Sequence, residues 1–253
     1  MLPSVKASSI AAFDARFGAA LVGLGLDQCA GYVTALSGGP DSTALALLSQ
    51  RYADAVGKHH HAVIVDHGLR GDSGNEARRV QTRLRRFGVD SNIIQITKPR
   101  PTAGLQEWAR INRHHALLSA ARQKKAALFF AHHASDQAET VAMRLLKSSG
   151  LNGLSGIACH RMQHDVVVAR PVLGWMPDQL KAVCHHFNCD FEIDPSNKDH
   201  HFERVQNGGS DCSDQFQNRN QDYGKPPLTD LASSPKPAAQ QQHHAAFGGM
   251  QSL

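Results

Sequence analysis

The sequence predicts an α/β fold, in which helices cover both faces of a mainly parallel sheet. Short apolar segments rich in β-branched residues alternate with longer amphipathic segments along most of the chain. This alternation is typical of parallel strands joined by crossover helices. The strand segments are apolar at nearly every position, as strands buried on both faces are.

Each element follows from a local pattern. The predicted strands are Tyr32–Leu36, His61–Asp66, Asn92–Thr97, Ala127–Ala131 and Val166–Ala169. The predicted helices are Ser42–Ala55, Ser73–Gly88, Leu105–Lys124, Ser135–Ser148 and Met176–Phe187. Ser73 and Glu76 predict a capping box at the start of the second helix, and Pro177 suits the first turn of the last. In such folds ligands bind where strands end and helices begin.

Composition limits the class of protein. The 253 residues allow one large domain, or one domain with an appendage. No apolar run is long enough to span a membrane, and Asp14 and Arg16 interrupt the place of a signal peptide. Five scattered cysteines suit reduced thiols, so we expect a cytoplasmic protein. No pattern predicts an oligomeric state.

The net charge of +5 suggests a polyanionic partner such as nucleic acid, although an ordinary basic enzyme explains it equally well. The composition changes at about Gln206, after which valine and isoleucine are absent and Gln, Asn, Ser, Pro and Gly dominate. Such a segment buries too little apolar surface to offset the entropy of ordering. We therefore predict one domain over residues 1–205 and a disordered tail over 206–253.

A phosphate-binding loop is predicted directly after the first strand, over Ser37-Gly38-Gly39-Pro40-Asp41-Ser42. The glycines let the backbone turn sharply and bring N–H groups onto an anion, and the following helix adds its own free N–H groups. Ser37 and Ser42 add hydroxyl donors. Asp41 would repel phosphates unless a cation lies between them, and Mg²⁺ is the simplest choice.

The loop differs from the common P-loop, which requires a lysine, and from the Gly-x-Gly-x-x-Gly fingerprint. A capped strand-to-helix turn without a ligand is the plain structural interpretation. The hexapeptide in this context resembles the signature of the N-type ATP pyrophosphatase, or PP-loop, superfamily. The resemblance implies cleavage of ATP between the α and β phosphates, with transfer of AMP to a carbonyl oxygen.

Further segments make the chain similar to the tRNA(Ile)-lysidine synthetase family over roughly residues 30–205. They are Val65–Arg70, Ala109-Arg110 with Arg113, Ala131–Thr140, Arg144-Leu145, Gly150–Gly156, Arg170-Pro171 and Asp194–Asn197. The resemblance implies an adenine nucleotide alpha hydrolase-like fold. It also implies that ATP adenylates the wobble cytidine of an isoleucine tRNA with a CAU anticodon. Free L-lysine then displaces AMP to give lysidine.

This chemistry suggests roles for individual residues. Asp41 and Asp136 lie at strand-to-helix junctions, where the two carboxylates are expected to share Mg²⁺ or to take a proton from lysine. A helix-dipole role is the plain interpretation of Asp136. One of His132 and His133 is expected to lie near a phosphate, and the other is a candidate core histidine. We predict that His132 is the one that binds the nucleotide.

Charged residues on two helices complete the candidate set. Glu139 and Arg144 are expected to hold lysine, or to form a structural ion pair. Arg110 and Arg113 share one helical face, where they suit phosphate or carboxylate groups, although a solvated basic face is equally open. A denser basic stretch leaves contact with the tRNA backbone and simple solvation open; it comprises Arg78, Arg79, Arg83, Arg85 and Arg86.

The chain departs from the family pattern in places. Ser135 stands where the family has the first acid of His-His-x-Asp-Asp-Gln, and Lys147–Gly150 replaces Arg-Gly-Ser-Gly. Phe202 and Arg204 are present, but the arginine-rich helix that follows them in the family is not recognisable. Two alternatives stay open: a non-catalytic paralogue that binds nucleotide, and a tRNA cytidine thiolase, although Cys184 and Cys189 lack the paired Cys-x-x-Cys spacing.

Overall fold

The computed structural model describes residues 9–69, 71–146 and 156–192. The strands are β1 Gly31–Leu36, β2 His59–Asp66, β3 Ser91–Gln95, β4 Ala127–Phe129, β5 His160–Gln163 and β6 Val166–Ala169. The helices are α1 Ile10–Gly23, α2 Pro40–Val56, α3 Ser73–Arg85, α4 Leu105–Gln123, α5 Ala134–Leu146 and α6 Pro177–His186. A 3₁₀ turn at Leu26–Gln28 precedes β1. The predicted tail over 206–253 lies outside the described residues.

The six strands form one sheet in the order β3-β2-β1-β4-β6-β5. All neighbouring pairs are parallel except β5 and β6, so the predicted fold class is confirmed. The chain builds outward from β1 to β3 and then returns to place β4 on the other side of β1. This reversal leaves a crevice at the carboxyl ends of β1 and β4, which is where open parallel sheets bind ligands.

Helices cover both faces of the sheet, as the alternation of strand residues requires. Val33 and Ala35 of β1 pack against α4 through Leu117 and Leu118. The opposite face carries α1, α2 and α6 over β1 and β4, and α3 over β2. Burial of β1 is complete at every position, which agrees with a central strand in a three-layer fold.

Several predicted boundaries were wrong. Helix α2 begins at Pro40 because Gly39 is its N-cap and Pro40 suits the first helical position. The predicted capping box at Ser73 is absent, since Asp72 is the N-cap and Ser73 is already helical. Strands β3 and β4 end earlier than predicted. Strand β5 and helix α1 were not predicted; β5 is mostly exposed and short of apolar residues.

No helix among the described residues is long and apolar enough to cross a membrane.

A buried histidine links β1, β2 and α2. His60 Nε2 lies 3.0 Å from Thr34 Oγ1, and His60 Nδ1 lies 3.0 Å from Gln50 Oε1. In the neutral ring the Gln50 carbonyl accepts from Nδ1–H and Nε2 accepts the Thr34 hydroxyl proton, so both partners are satisfied without a buried charge. Burial accordingly lowers the pKa of His60 to about 3.

This histidine makes the fold sensitive to acid. The unfolded chain takes up a proton at His60 near pH 6.5 while the folded chain resists it, so stability is lost as the pH falls from 6.5 toward 3. We expect His60→Asn to reduce the acid loss by up to about 1.4 kcal/mol per pH unit in this range. Urea unfolding at several pH values measures the effect. His59→Asn, at an exposed neighbouring position, is the control, and equal pH profiles for all three proteins would contradict the assignment.

Candidate functional site

The Ser37–Ser42 loop joins β1 to α2 at the crevice. Gly38 adopts a φ of 91°, and a Cβ at this residue would lie 2.7 Å from Val80 Cγ2 of α3. Both the left-handed backbone and the close approach therefore require glycine. Gly39 has an ordinary extended backbone and more space, because a Cβ there would meet only Ser37 Oγ at 3.8 Å.

The loop is held from inside by its hydroxyl groups. Ser42 Oγ accepts a hydrogen bond from the Ser37 amide at 3.1 Å and donates to the Gly39 carbonyl at 3.2 Å. Ser37 Oγ lies 3.0 Å from Ser42 Oγ. The two predicted hydroxyl donors thus bond mainly to the loop itself and hold its shape.

The loop is also held from outside by the chain beyond α6. The Glu192 amide donates to the Gly38 carbonyl at 2.9 Å, and the Glu192 carboxylate accepts from Arg83 Nη2 of α3 at 2.7 Å. These contacts fix the Gly38 carbonyl, and with it the Gly39 amide, which points the opposite way across the same trans peptide group.

Free backbone donors distinguish this loop from an ordinary turn. Within residues 9–69, 71–146 and 156–192, no acceptor is present for four amides. They belong to Gly38, Gly39, Asp41 and Ser42. Two of them are the first N–H groups of α2, since Pro40 has none, and the helix dipole adds partial positive charge. The loop therefore offers a ready site for a phosphate group.

Two carboxylates and one imidazole form the acidic part of the site. His133 lies between Asp41, whose Oδ2 is 3.6 Å from Nε2, and Asp136, whose Oδ2 is 3.3 Å from Nδ1. Asp136 also accepts the His133 amide at 2.7 Å, so it caps the start of α5. The second oxygen of Asp41, Oδ1, is buried without a hydrogen-bond partner in the described structure.

The carboxylates favour the charged form of this imidazole. Contact with Asp41, and the negative charges of Asp136 and Glu139, raise the pKa of His133 against the opposing effect of burial. In the neutral ring Nδ1 accepts the Ser135 amide at 3.2 Å, which leaves the proton on Nε2 facing Asp41. Ser135 therefore orients His133 through its backbone, independently of its side chain.

The neighbouring histidine belongs to a positively charged part of the site. Arg170 Nε donates to His132 Nδ1 at 3.1 Å, so the proton of the neutral ring lies on Nε2. Burial, with Arg170 and Arg113 nearby, lowers the pKa of His132 to about 4. Arg170 follows directly after β6, and sequence analysis assigned it no role, although its place at a strand's carboxyl end was a usable signal.

Arg113 and Arg110 lie in different environments, Arg113 close to the crevice and Arg110 in solvent. The Arg113 guanidinium has no hydrogen-bond acceptor in the part of the chain that the structure describes, and burial lowers its pKa. Its charge lowers the pKa values of His67 and His132, which places Arg113 within electrostatic reach of the crevice. Arg110 is exposed, and among the described residues no hydrogen bond or ion pair joins it to this group.

Glu139 and Arg144 lie farther along α5. Glu139 is exposed and close enough to raise the pKa of His133, whereas Arg144 Nη1 donates to the Gly156 carbonyl at 3.1 Å. Gln137 on the same helix accepts the Ile157 amide at 2.6 Å. The residues of α5 thus contact both the acidic cluster and the segment that leads into β5.

Comparison with known proteins places this geometry in a family. Residues 17–206 match the family model described as a PP-loop domain. The chain belongs to the PP-loop family. Its PP-loop is the Ser37–Ser42 segment described above.

Curated relatives share one name. The tRNA(Ile)-lysidine synthase of Bradyrhizobium sp. (strain BTAi1) is 40% identical over 173 residues, which cover 67% of this chain and 48% of the relative. The tRNA(Ile)-lysidine synthase of Methylobacterium nodulans is 41% identical over 182 residues, which cover 72% of this chain and 53% of the relative. The chain thus spans about half the length of the curated relatives it matches.

A solved structure supports the fold. The U34-tRNA thiolase from Methanococcus maripaludis superposes with a TM-score of 0.62, covering 89% of this chain and 85% of that one at 16% identity. At this identity the likeness extends to the fold alone.

The glycine requirement at the PP-loop can be tested by stability. Gly38→Ala should lower the free energy of unfolding by more than Gly88→Ala. Both residues have positive φ, 91° and 76°, but only Gly38 has a neighbour within 4 Å of its Cβ position. Gly88→Ala should cost about 1–2 kcal/mol for the backbone alone, and the excess at Gly38 measures the contact with Val80. Urea unfolding at constant pH gives both values, and equal losses would refute the steric constraint.

The coupling of His133 to Asp41 can be tested by titration. In the wild type, His133 should titrate above 6.5, and Asp41→Asn should lower its pKa because the largest cause of the shift is removed. NMR of the histidine ring protons measures this, with His133→Gln identifying the resonance. Asp178→Asn, on α6, is the control and should leave the resonance unchanged. An unshifted His133 pKa in Asp41→Asn would contradict the geometry.

Proposed function

We propose that this PP-loop protein binds ATP and adenylates the C2 carbonyl oxygen of the wobble cytidine in a tRNA(Ile) with a CAU anticodon. Free L-lysine would then displace AMP, giving lysidine. The observation that supports this most directly is the set of free PP-loop amides beside Asp41, whose Oδ1 is buried without a hydrogen-bond partner in the described structure. The curated relatives, which bear the name tRNA(Ile)-lysidine synthase, support the choice of reaction.

The triphosphate suits the positive side of the crevice. Free amides at Gly38 and Gly39 and at the start of α2 supply donors for phosphate oxygens. Arg113 is a half-buried cation without an acceptor in the described residues, and a phosphate would supply the missing counter-charge. The Nε2–H of neutral His132 adds one more donor to this side. Together these groups stabilise the negative charge that shifts to pyrophosphate when it leaves.

Mg²⁺ fits the donors of the acidic side. Asp41 Oδ1 is a buried carboxylate oxygen without a partner in the described structure, which is the chemistry that a hard cation prefers. Asp41 would hold the ion, with Asp136 beside it across His133. The ion would neutralise phosphate charge next to the carboxylates.

Lysine suits the same acidic side. Its amine is charged near neutral pH, with an ordinary pKa of about 10.4, and must lose a proton before it attacks. Asp136 and Glu139 supply negative charge for the ammonium group, and the Asp136 carboxylate is the candidate proton acceptor. Arg144 at the far end of α5 is a candidate for the carboxylate of lysine, and Arg110 for a phosphate of the RNA.

The proposal also covers the domain boundary and the cellular location. We assign the chemistry to residues 1–205, with 206–253 as a tail outside it. We place the protein in the cytoplasm, where tRNA and ATP are both available.

Incorporation of radiolabelled lysine tests the reaction. With ATP, Mg²⁺ and a tRNA(Ile) transcript bearing CAU, the wild type should incorporate lysine. Asp41→Asn should reduce the rate at least about 100-fold, because the cation that would neutralise phosphate charge loses its carboxylate ligand. Asp178→Asn should match the wild type. A transcript with a GAU anticodon should accept no lysine.

The outcomes separate the proposal from its alternative. If the wild type binds ATP tightly but incorporates no lysine and releases no pyrophosphate with this transcript, the protein is a nucleotide-binding paralogue without this activity. If Asp41→Asn retains full incorporation, the assigned role of Asp41 is wrong.

A further inference from the structure

An open groove follows the outer side of α3. It has a volume of about 560 Å³ and is lined by Asn75, Arg78, Arg79, Thr82, Arg83, Arg86 and Asp190. We propose that this groove binds the phosphodiester backbone of the RNA substrate. The inference rests on the proposed function for the identity of the RNA, and on the groove itself for the binding.

The groove is strongly positive. Four arginines face one acid, Asp190, among its lining residues. Arg78, Arg79 and Arg86 are exposed. Such a density of positive charge is what a polyanion requires.

Arg83 is paired with Glu192, but the other three charges are weakly compensated within the described residues. Arg86 has no side-chain partner in the described residues, and Arg78 donates to a neutral amide, Asn75 Oδ1. Arg79 lies 3.3 Å from Asp72, and both side chains are more than half exposed, so this pair is weak. The guanidinium groups of Arg78, Arg79 and Arg86 therefore remain available to an external anion.

The spacing suits a strand of phosphates more than one small anion. Arg79, Arg83 and Arg86 follow one another at intervals of four and three residues, which places them on one stripe of the helix. At about 1.5 Å per residue this stripe extends roughly 10 Å, enough to meet more than one phosphate of a nucleic-acid strand.

The groove is connected to the PP-loop. Arg83 bonds to Glu192, and the Glu192 amide bonds to Gly38. Val80, from the buried side of α3, packs against the same glycine. An RNA held along α3 is therefore held beside the nucleotide loop, which is where an anticodon base would have to be presented.

The test removes three charges from the groove. The triple variant Arg78→Gln, Arg79→Gln, Arg86→Gln leaves the Arg83–Glu192 contact intact. The control, Arg122→Gln, Lys124→Gln, Lys181→Gln, removes the same charge from exposed positions on α4, at its end and on α6. Fluorescence anisotropy of a labelled tRNA(Ile) transcript with a CAU anticodon, measured with the full chain across a range of KCl, gives affinity and salt dependence.

The groove variant should bind the transcript at least 10-fold more weakly at low salt. The slope of log affinity against log salt should decrease by about 2–3, as expected for the loss of that many phosphate contacts. The control should lose less than threefold. Both variants should bind ATP like the wild type and unfold at the same temperature.

Several outcomes would overturn the proposal. Equal losses in the two variants, or no binding of tRNA by the wild type, would reject the groove. Binding of inorganic tripolyphosphate as tight as that of tRNA, and equally dependent on the three arginines, would make it a small-anion site. If the groove variant alone loses RNA affinity while the wild type incorporates no lysine, the groove stands and the proposed reaction fails. If the wild type incorporates lysine but the groove variant binds RNA as tightly as the wild type, the proposed reaction stands and the groove proposal fails.

Discussion

The parallel pairing of β1 with β4 is the constraint on which the site depends. Tyr32, Val33 and Thr34 lie opposite Ala127, Leu128 and Phe129, although almost a hundred residues separate the strands in the chain. Because both strands run the same way, the PP-loop after β1 and the His132–Asp136 segment after β4 meet at one edge. Asp41 and Asp136 can then flank a single imidazole.

The site has opposite charges on its two sides. Burial, together with the charges of Arg170 and Arg113, lowers the pKa of His132, whereas Asp41, Asp136 and Glu139 raise that of His133. The pKa values of two adjacent histidines are therefore shifted in opposite directions, because burial dominates at His132 and the carboxylates dominate at His133. The polyphosphate and the amine of the proposed reaction would each meet the side of opposite charge.

Much of the architecture could be predicted from the sequence, because strands buried on both faces and amphipathic helices leave distinct periodic patterns. The Ser37–Ser42 loop was also readable, since its glycines and its position after a strand have a direct physical meaning. The exposed strand β5 could not be predicted from the sequence, because it lacks the apolar pattern of a buried strand. Tertiary contacts such as Arg170 with His132, and Glu192 with Gly38, join residues distant in the chain and leave no local pattern.

The contact of Glu192 with the loop has a consequence for synthesis of the protein. The hexapeptide is made early, but the amide that holds the Gly38 carbonyl belongs to a residue translated 154 positions later. A nascent chain on the ribosome can form β1 and α2 long before this contact exists. The nucleotide cradle therefore reaches its final shape only after the last described segment has emerged from the exit tunnel.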